Sequence, residues 1–148
     1  MSFLSSMNIS ASAMTAQRLR LDIASQNIAN IDTTKTASGG PYRRRMVVLE
    51  SQNENNFRRT LLNAAGKSRQ QSAGGVRVSQ IVEDTSPLKS VYDPEHPDAD
   101  ENGYVQMPNV DLIKETVDSM SATRSYEANI TAFNAIKTMA SKALEIGK

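Results

Sequence analysis

From Asp111 to Ile146 the chain runs for about 36 residues without a glycine or a proline, and nothing else in the sequence restricts its fold so strongly. Pro108 and Asn109 precede the run, Asp111 stands where an N-cap belongs, and Gly147 follows it, so the signals for both ends of a helix are present. Within it Ile113, Val117, Met120, Thr123, Tyr126, Ile130, Phe133, Ile136, Ala140 and Leu144 recur at threes and fours, with a mean gap nearer 3.5 than 3.6. That is the period of a helix lying along another helix. At 1.5 Å per residue the element is about 54 Å long, well beyond the usual length of roughly 10 to 14 residues. It needs a long partner.

A second apolar rhythm opens the chain. Leu4, Met7, Ala11, Met14, Leu21, Ala24, Ile28 and Ile31 follow threes and fours with one seat skipped near Gln17 and Arg18, which predicts an amphipathic helix of about 26 residues, about 39 Å long. Ser2, Ser5 and Ser6 offer N-caps. Asn30 in a left-handed cap, or the following Asp32, Thr33 and Thr34, ends it. Gln26, Asn27 and Asn30 crowd that end with amides. Two roles are open for them: hydrogen bonds sideways to neighbouring molecules without burying charge, or simple capping of the helix end.

Between the helices the pattern changes to short runs rich in Val, Ile and Tyr, bounded by turn formers. Tyr42 to Glu50, Gly75 to Val82, Leu88 to Tyr92 and Gly103 to Met107 read as three or four strands. Ser51 to Gly74 is polar and reads as a loop with room for a helical turn at Leu61 and Leu62. The expected fold is therefore mainly α with a small β region: long amphipathic helices at 1–33 and 109–148, packed together in coiled-coil fashion, and a β-rich segment with a polar loop at 34–108.

Composition limits what such a chain can do. Its 148 residues suit one domain, but aromatics are only 5% and tryptophan is absent, so the core must be thin and built from small aliphatic side chains. With no cysteine and one histidine, thiolate metal sites, disulfides and the usual nucleophilic arrangements are out of reach, and no enzyme activity is expected. The longest apolar run, Met46 to Leu49, is far short of the roughly 20 residues that span a bilayer, so no direct membrane insertion is expected. The first 20 residues lack the basic-then-apolar pattern of a cleavable secretory signal. Net charge is +1, yet 37–80 sums to +6 and 81–111 to −7. Complementary segments of this kind favour pairing, within a chain or between neighbours.

The remaining chemical motifs are incomplete. Gly66-Lys67-Ser68 lacks the earlier glycine of a phosphate loop, since Leu61 occupies that place. Asp98, Asp100, Asn102 and Gly103 match the first half of a calcium loop, but Asn109 stands where the bidentate glutamate belongs. His96 lies between Pro94 and Pro97, which are expected to hold the stretch extended and its side chains apart, leaving an exposed turn histidine. Arg43, Arg44, Arg45, Arg58 and Arg59 could grip a nucleic acid, but the adjacent acidic segment repels the same phosphates. The alternative is a strand edge guarded by charge.

Three blocks carry a family likeness: "SQNIANIDTTKTASGGPYRRRMVVLE", "VYDPEHPDADENGYVQMPNV" and "SMSATRSYEANITAFNAIKTMASKAL". Together they cover about half the chain and resemble the bacterial flagellar axial proteins of the rod, hook and hook–filament junction, most of all those of the proximal rod. The matching positions include Asn27, Asn30, Tyr42, Arg124, Tyr126, Glu127 and Asn129; Lys35 and Ala37 depart from the usual turn. The resemblance implies a structural subunit of the flagellar basal-body rod, which crosses the periplasm. Such a subunit is exported uncleaved through the flagellar type III apparatus and assembles helically to carry torque toward the hook. Its terminal helices would form an inner layer and its strands an outer one. Implied partners are copies of itself, other proximal-rod proteins, the basal adaptor subunit and the next rod protein outward; cofactors and nucleic acid are not implied. The seats expected to face neighbours are Met7, Ala11, Met14, Leu21, Ile28, Ile113, Val117, Met120, Tyr126, Ile130, Phe133 and Ile136. The competing reading is a small adaptor that binds calcium or nucleic acid.

Overall fold

The computed structural model describes residues 3–52, 61, 64 and 74–146. Most of the polar 51–74 loop, with Arg58, Arg59 and the Gly66-Lys67-Ser68 motif, lies outside the described residues.

The chain begins with α1 (Phe3–Ala29), passes through four strands, β1 (Arg45–Ser51), β2 (Val76–Glu83), β3 (Lys89–Tyr92) and β4 (Tyr104–Met107), and ends with α2 (Leu112–Ile146). It is mainly α with a small β region, as the periodicities predict. Among the described residues no helix is long and apolar enough to cross a membrane.

Both helix ends with local signals are closed by side chains. Asp111 Oδ1 accepts from the backbone N–H of Ile113 at 2.9 Å and of Lys114 at 3.4 Å, which makes it the N-cap of α2. At the end of α1 the expected left-handed asparagine does not occur, because no non-glycine residue described has positive φ. Asn30 instead stays close to helical geometry and donates its side-chain amide to the Gln26 carbonyl at 2.8 Å, while Thr33 closes back onto Asn30. The Gln26 carbonyl accepts the Asn30 backbone N–H as well, at 3.1 Å, so the helix end closes on itself without the strained conformation.

The strands form two separate pairs, β1 with β2 and β3 with β4. The first is antiparallel: Asp84 N–H bonds the Arg44 carbonyl at one end and Gln52 N–H the Gly75 carbonyl at the other. In the second, Tyr92 lies opposite Tyr104, Ser90 opposite Gln106, Val91 opposite Val105 and Lys89 opposite Met107.

The chain divides into two compact units, 1–17 with 49–79 and 124–148, and 18–48 with 80–123; both helices and the β1–β2 ribbon contribute to each. In the first, β2 begins against α1. Val76 N–H donates to Ser12 Oγ at 3.1 Å, and that hydroxyl donates to the Ile9 carbonyl at 2.8 Å. Gly75, at φ +87°, lies so near that a Cβ would overlap Ser12 Oγ. Gly75→Ala combines a left-handed alanine with overpacking, and is expected to cost about 2 kcal/mol or more. A lower urea midpoint with an unchanged slope checks this; a midpoint equal to that of the parent chain refutes it.

The second unit holds most of the buried side chains: Ile23, Ala24, Asn27, Tyr42, Arg44, Val105, Pro108, Val110, Glu115 and Ala122. Four of these carry polar groups, Asn27, Arg44, Glu115 and the Tyr42 hydroxyl, so the thin core is completed by polar groups that must satisfy one another.

Candidate functional site

In the second unit α1 and α2 are joined by a buried polar junction. Asn27, near the C-terminal end of α1, is 1% exposed. Its Nδ2 donates to the Arg45 carbonyl and to Glu115 Oε2, and its Oδ1 accepts from Arg45 N–H and from the Tyr42 hydroxyl, all at 2.9 Å. Two donors and two lone pairs exhaust what a primary amide offers. Asn27 therefore has no hydrogen-bonding capacity left for a neighbouring molecule and does not cap the helix end either; in place of the two expected roles it joins α1 to Tyr42, Arg45 and Glu115.

Glu115, 2% exposed, lies in the first turn of α2, where the helix dipole favours an anion. Its Oε1 accepts from Arg44 Nε at 2.6 Å. The same guanidinium bonds Asp118 at 3.2 Å and faces Asp84 at 3.8 Å, while Arg20 supplies a second cation to Asp118 at 3.0 Å. One arginine thus draws together carboxylates from the end of β2 and from α2. Asn109 pins the backbone around it: it accepts from Arg44 N–H at 2.8 Å and donates to the carbonyls of Asp84 and Ser86 and to Ser86 Oγ. Hydrogen bonds from the Ser86 backbone and hydroxyl, with Arg44 and Lys114 adding to them, hold the Asp84 carboxyl below its ordinary pKa. Burial pushes the Tyr42 phenol upward; Arg45 opposes this, and Glu115 and Glu83 add to it.

The expectation of an exposed arginine edge is therefore corrected for Arg44, which is 8% exposed. A signal was present in strand alternation: Tyr42 and Arg44 share one face, Arg43 and Arg45 the other. Arg43 bonds the Asp84 carbonyl at 3.3 Å, and Arg45 extends over Tyr42 with its guanidinium carbon 5.8 Å from the ring centre. Pairing of the basic and acidic segments occurs within the chain in Arg44–Asp84 and Arg45–Glu83.

The predicted seams lie elsewhere on the helices. On α1, Met7, Ala11, Met14, Leu21 and Ile28 are half-buried, and the closed face consists of Ser10, Ala16, Ile23, Ala24 and Asn27. On α2, Glu115 and Ala122 face inward, whereas Ile113, Val117, Met120 and Ile130 are exposed; Tyr126, Phe133 and Ile136 are half-buried. Farther along, Met139, Leu144 and Ile146 are 55%, 76% and 86% exposed. Of the motif residues in α2, Arg124 and Glu127 are exposed, and Asn129 donates to the Ser125 carbonyl at 2.7 Å.

The 93–103 stretch is also corrected. Despite its two prolines it turns rather than extends, with His96 N–H on the Asp93 carbonyl and Ala99 N–H on that of His96. His96 is half-buried, and its Nδ1 accepts from Asp98 N–H at 3.1 Å. Proline fixes φ near −65°, which suits a turn as well as an extended strand. Asp98 is engaged by Thr34 at 2.8 Å and Lys35 at 4.0 Å, and Gly103, at φ +77°, has the Tyr92 ring and Pro94 against it.

Comparison with known families fits this arrangement of terminal helices around short strands. The family described as "Flagella basal body rod protein" matches residues 7–35, and that described as "Flagellar basal body rod FlgEFG protein C-terminal" matches 101–146. These define the class: a structural protein of the flagellar basal-body rod, not an enzyme. Relatives named flagellar basal-body rod protein FlgC resemble the chain over nearly its whole length. The one from Bacillus subtilis is 54% identical, covering 97% of both chains. That of Borreliella burgdorferi is 44% identical over 99% of this chain and 98% of its own, and that of Salmonella typhimurium 42% identical over all of both. The chain belongs to the FlgC family of flagellar basal-body rod proteins. The calcium or nucleic-acid adaptor reading finds no support among these relatives.

Proposed function

We propose that the chain is a subunit of the proximal rod that stacks helically with copies of itself and with other proximal-rod proteins, and so passes motor torque outward. In this reading its neighbours are the basal adaptor subunit on one side and the next rod protein on the other. It crosses into the periplasm through the flagellar type III apparatus without losing a signal peptide, and the 1–33 and 109–148 segments form the inner layer around which 34–108 is arranged.

One observation supports the reading most: in the first turns of α2, where Glu115 and Ala122 turn inward, the apolar seats lie on the opposite face. Ile113, Val117 and Met120 are 77%, 60% and 53% exposed on a continuous 35-residue helix. Large exposed aliphatics in a row mark a surface completed by other molecules, and a helix about 52 Å long offers that surface along a cylinder axis. Heterologous contacts that do not close on themselves build helical assemblies. The test is Val117→Asp in a cell lacking the native copy. Val117 is 60% exposed, so the monomer should fold and be exported, while basal bodies stop short of a complete rod and swimming is lost. Normal rods carrying the variant refute the assignment of this face.

A further inference from the structure

The second unit carries two complementary surfaces that its own fold leaves open. The first is the outward face of the β3–β4 hairpin. Val105, on its inner face, is 1% exposed, but Tyr92 and Tyr104, paired across the strands on the other face, are 65% and 46% exposed. Their rings meet edge to face at 5.3 Å, and Gln106 bonds Ser90 beside them at 2.7 Å, so the aromatic pair is held ready. Tyrosine held this way is the usual anchor of a protein interface, and a two-stranded hairpin has little stability to spare for displaying it in water. The loop closing the hairpin carries Asp93, Glu95, Asp98, Asp100 and Glu101 and no lysine or arginine. Among the described residues only Asp98 of these five has a cationic partner, Lys35.

The second surface is a cleft of about 440 Å³ whose walls include Thr36, Ser38, Tyr42, Arg43, Arg45 and Glu83. Arg45 is loosely held: its side chain is 45% exposed and lies 3.8 Å from Glu83. Its backbone, not its guanidinium, serves the Asn27 junction, and the guanidinium, shared between Glu83 and the Tyr42 ring, is open to solvent on its remaining side.

We propose that the tyrosine face and acidic loop of one copy dock on the arginine-lined cleft of a second copy, head to tail. The proposal rests on the reading of the chain as an axial subunit that contacts copies of itself, and it names the surfaces of one such contact. Charge selects this occupant: the 93–103 loop carries five carboxylates and no lysine or arginine, and the cleft presents Arg43 and Arg45 beside a single carboxylate, Glu83. The two surfaces are different patches of one molecule, so their contact is heterologous and adds copies in a row rather than closing a symmetric pair.

The absence of cysteine from the chain makes cross-linking clean. Two full-length chains, Ser38→Cys and Glu101→Cys, are co-expressed in a cell lacking the native copy, and isolated basal bodies are oxidised. The expected product is a disulfide-linked pair of the two chains, absent when either is expressed alone. Arg45→Glu in the Ser38→Cys chain should reduce it about tenfold, the effect of roughly 1.4 kcal/mol, and Asp100→Arg in the other chain should restore it. Basal bodies that contain both chains but yield no such pair, or yield an adduct only with a different protein, overturn the docking while leaving the rod reading intact. Basal bodies that contain neither chain, although both are folded in the cell, overturn the rod reading and the docking with it.

Discussion

Arg44→Met is expected to destabilise the second unit by about 3 to 5 kcal/mol, a large part of the roughly 5 to 15 kcal/mol that holds a domain of this size together. Methionine keeps most of the side-chain volume and removes the charge. Glu115 is then left 2% exposed with no cation, in an environment that cannot solvate it, and Asp84 and Asp118 lose the guanidinium that draws them together. Arg20 still reaches Asp118 but does not replace the bond to Glu115. The burden falls on the orphaned carboxylate, so Arg44→Met combined with Glu115→Leu should be more stable than Arg44→Met alone, a non-additivity that independent sites do not show. Urea unfolding of the full chain followed by circular dichroism measures both. A single-variant loss below about 1 kcal/mol is what an exposed ion pair would give, and it refutes the burial argument.

Asn27→Ala should cost about 2 to 4 kcal/mol. The substitution leaves both backbone groups of Arg45, the Tyr42 hydroxyl and one oxygen of Glu115 short of partners inside the protein, and each buried orphan costs about 1 to 3 kcal/mol with incomplete additivity. Asn27→Asp is the sharper probe. It matches asparagine in shape, yet turns the two donors that meet the Arg45 carbonyl and Glu115 into an acceptor, so a junction that depends on hydrogen-bond direction should tolerate it no better than alanine. Tyr42 adds a pH signature to the same cluster. Its folded pKa is raised above 10.0, so the neutral phenol is favoured in the fold. Its contribution is complete below pH 10.0 and is lost as the pH rises through the folded value. Melting temperatures taken across that range should fall less steeply in Tyr42→Phe than in the parent chain; parallel curves would remove Tyr42 from the linkage.

These two predictions concern what makes the chain foldable before it meets any partner. The Asn27–Tyr42–Arg44–Glu115 junction fixes the end of α1, the entry to β1 and the start of α2 against one another within the second unit. It does so with directional bonds, which specify one arrangement where a thin set of alanines and valines would permit several. Ile113, Val117 and Met120 are thereby left facing outward, where the proposed rod contacts would complete them.

The two long helices, four short strands and their bounds to within a few residues were legible in the sequence, because local causes set them. Asp111 caps α2, no glycine or proline breaks the run to Ile146, and valine-rich segments between turn formers make strands whatever surrounds them. The rod family too was legible in the terminal motifs. The face each helix turns inward was not. Apolar periodicity marked Ile113, Val117 and Met120 as seats for neighbours but named no inward face, and the chain closes on Glu115 and Ala122, since a carboxylate matched by a guanidinium and an amide can be buried as fully as an aliphatic side chain. Nothing near Glu115 in the sequence announces Arg44 or Asn27, which lie 71 and 88 residues away from it. Only the tertiary structure brings those groups within hydrogen-bonding distance, and it is that meeting which decides that Arg44 is interior and Arg45 is not.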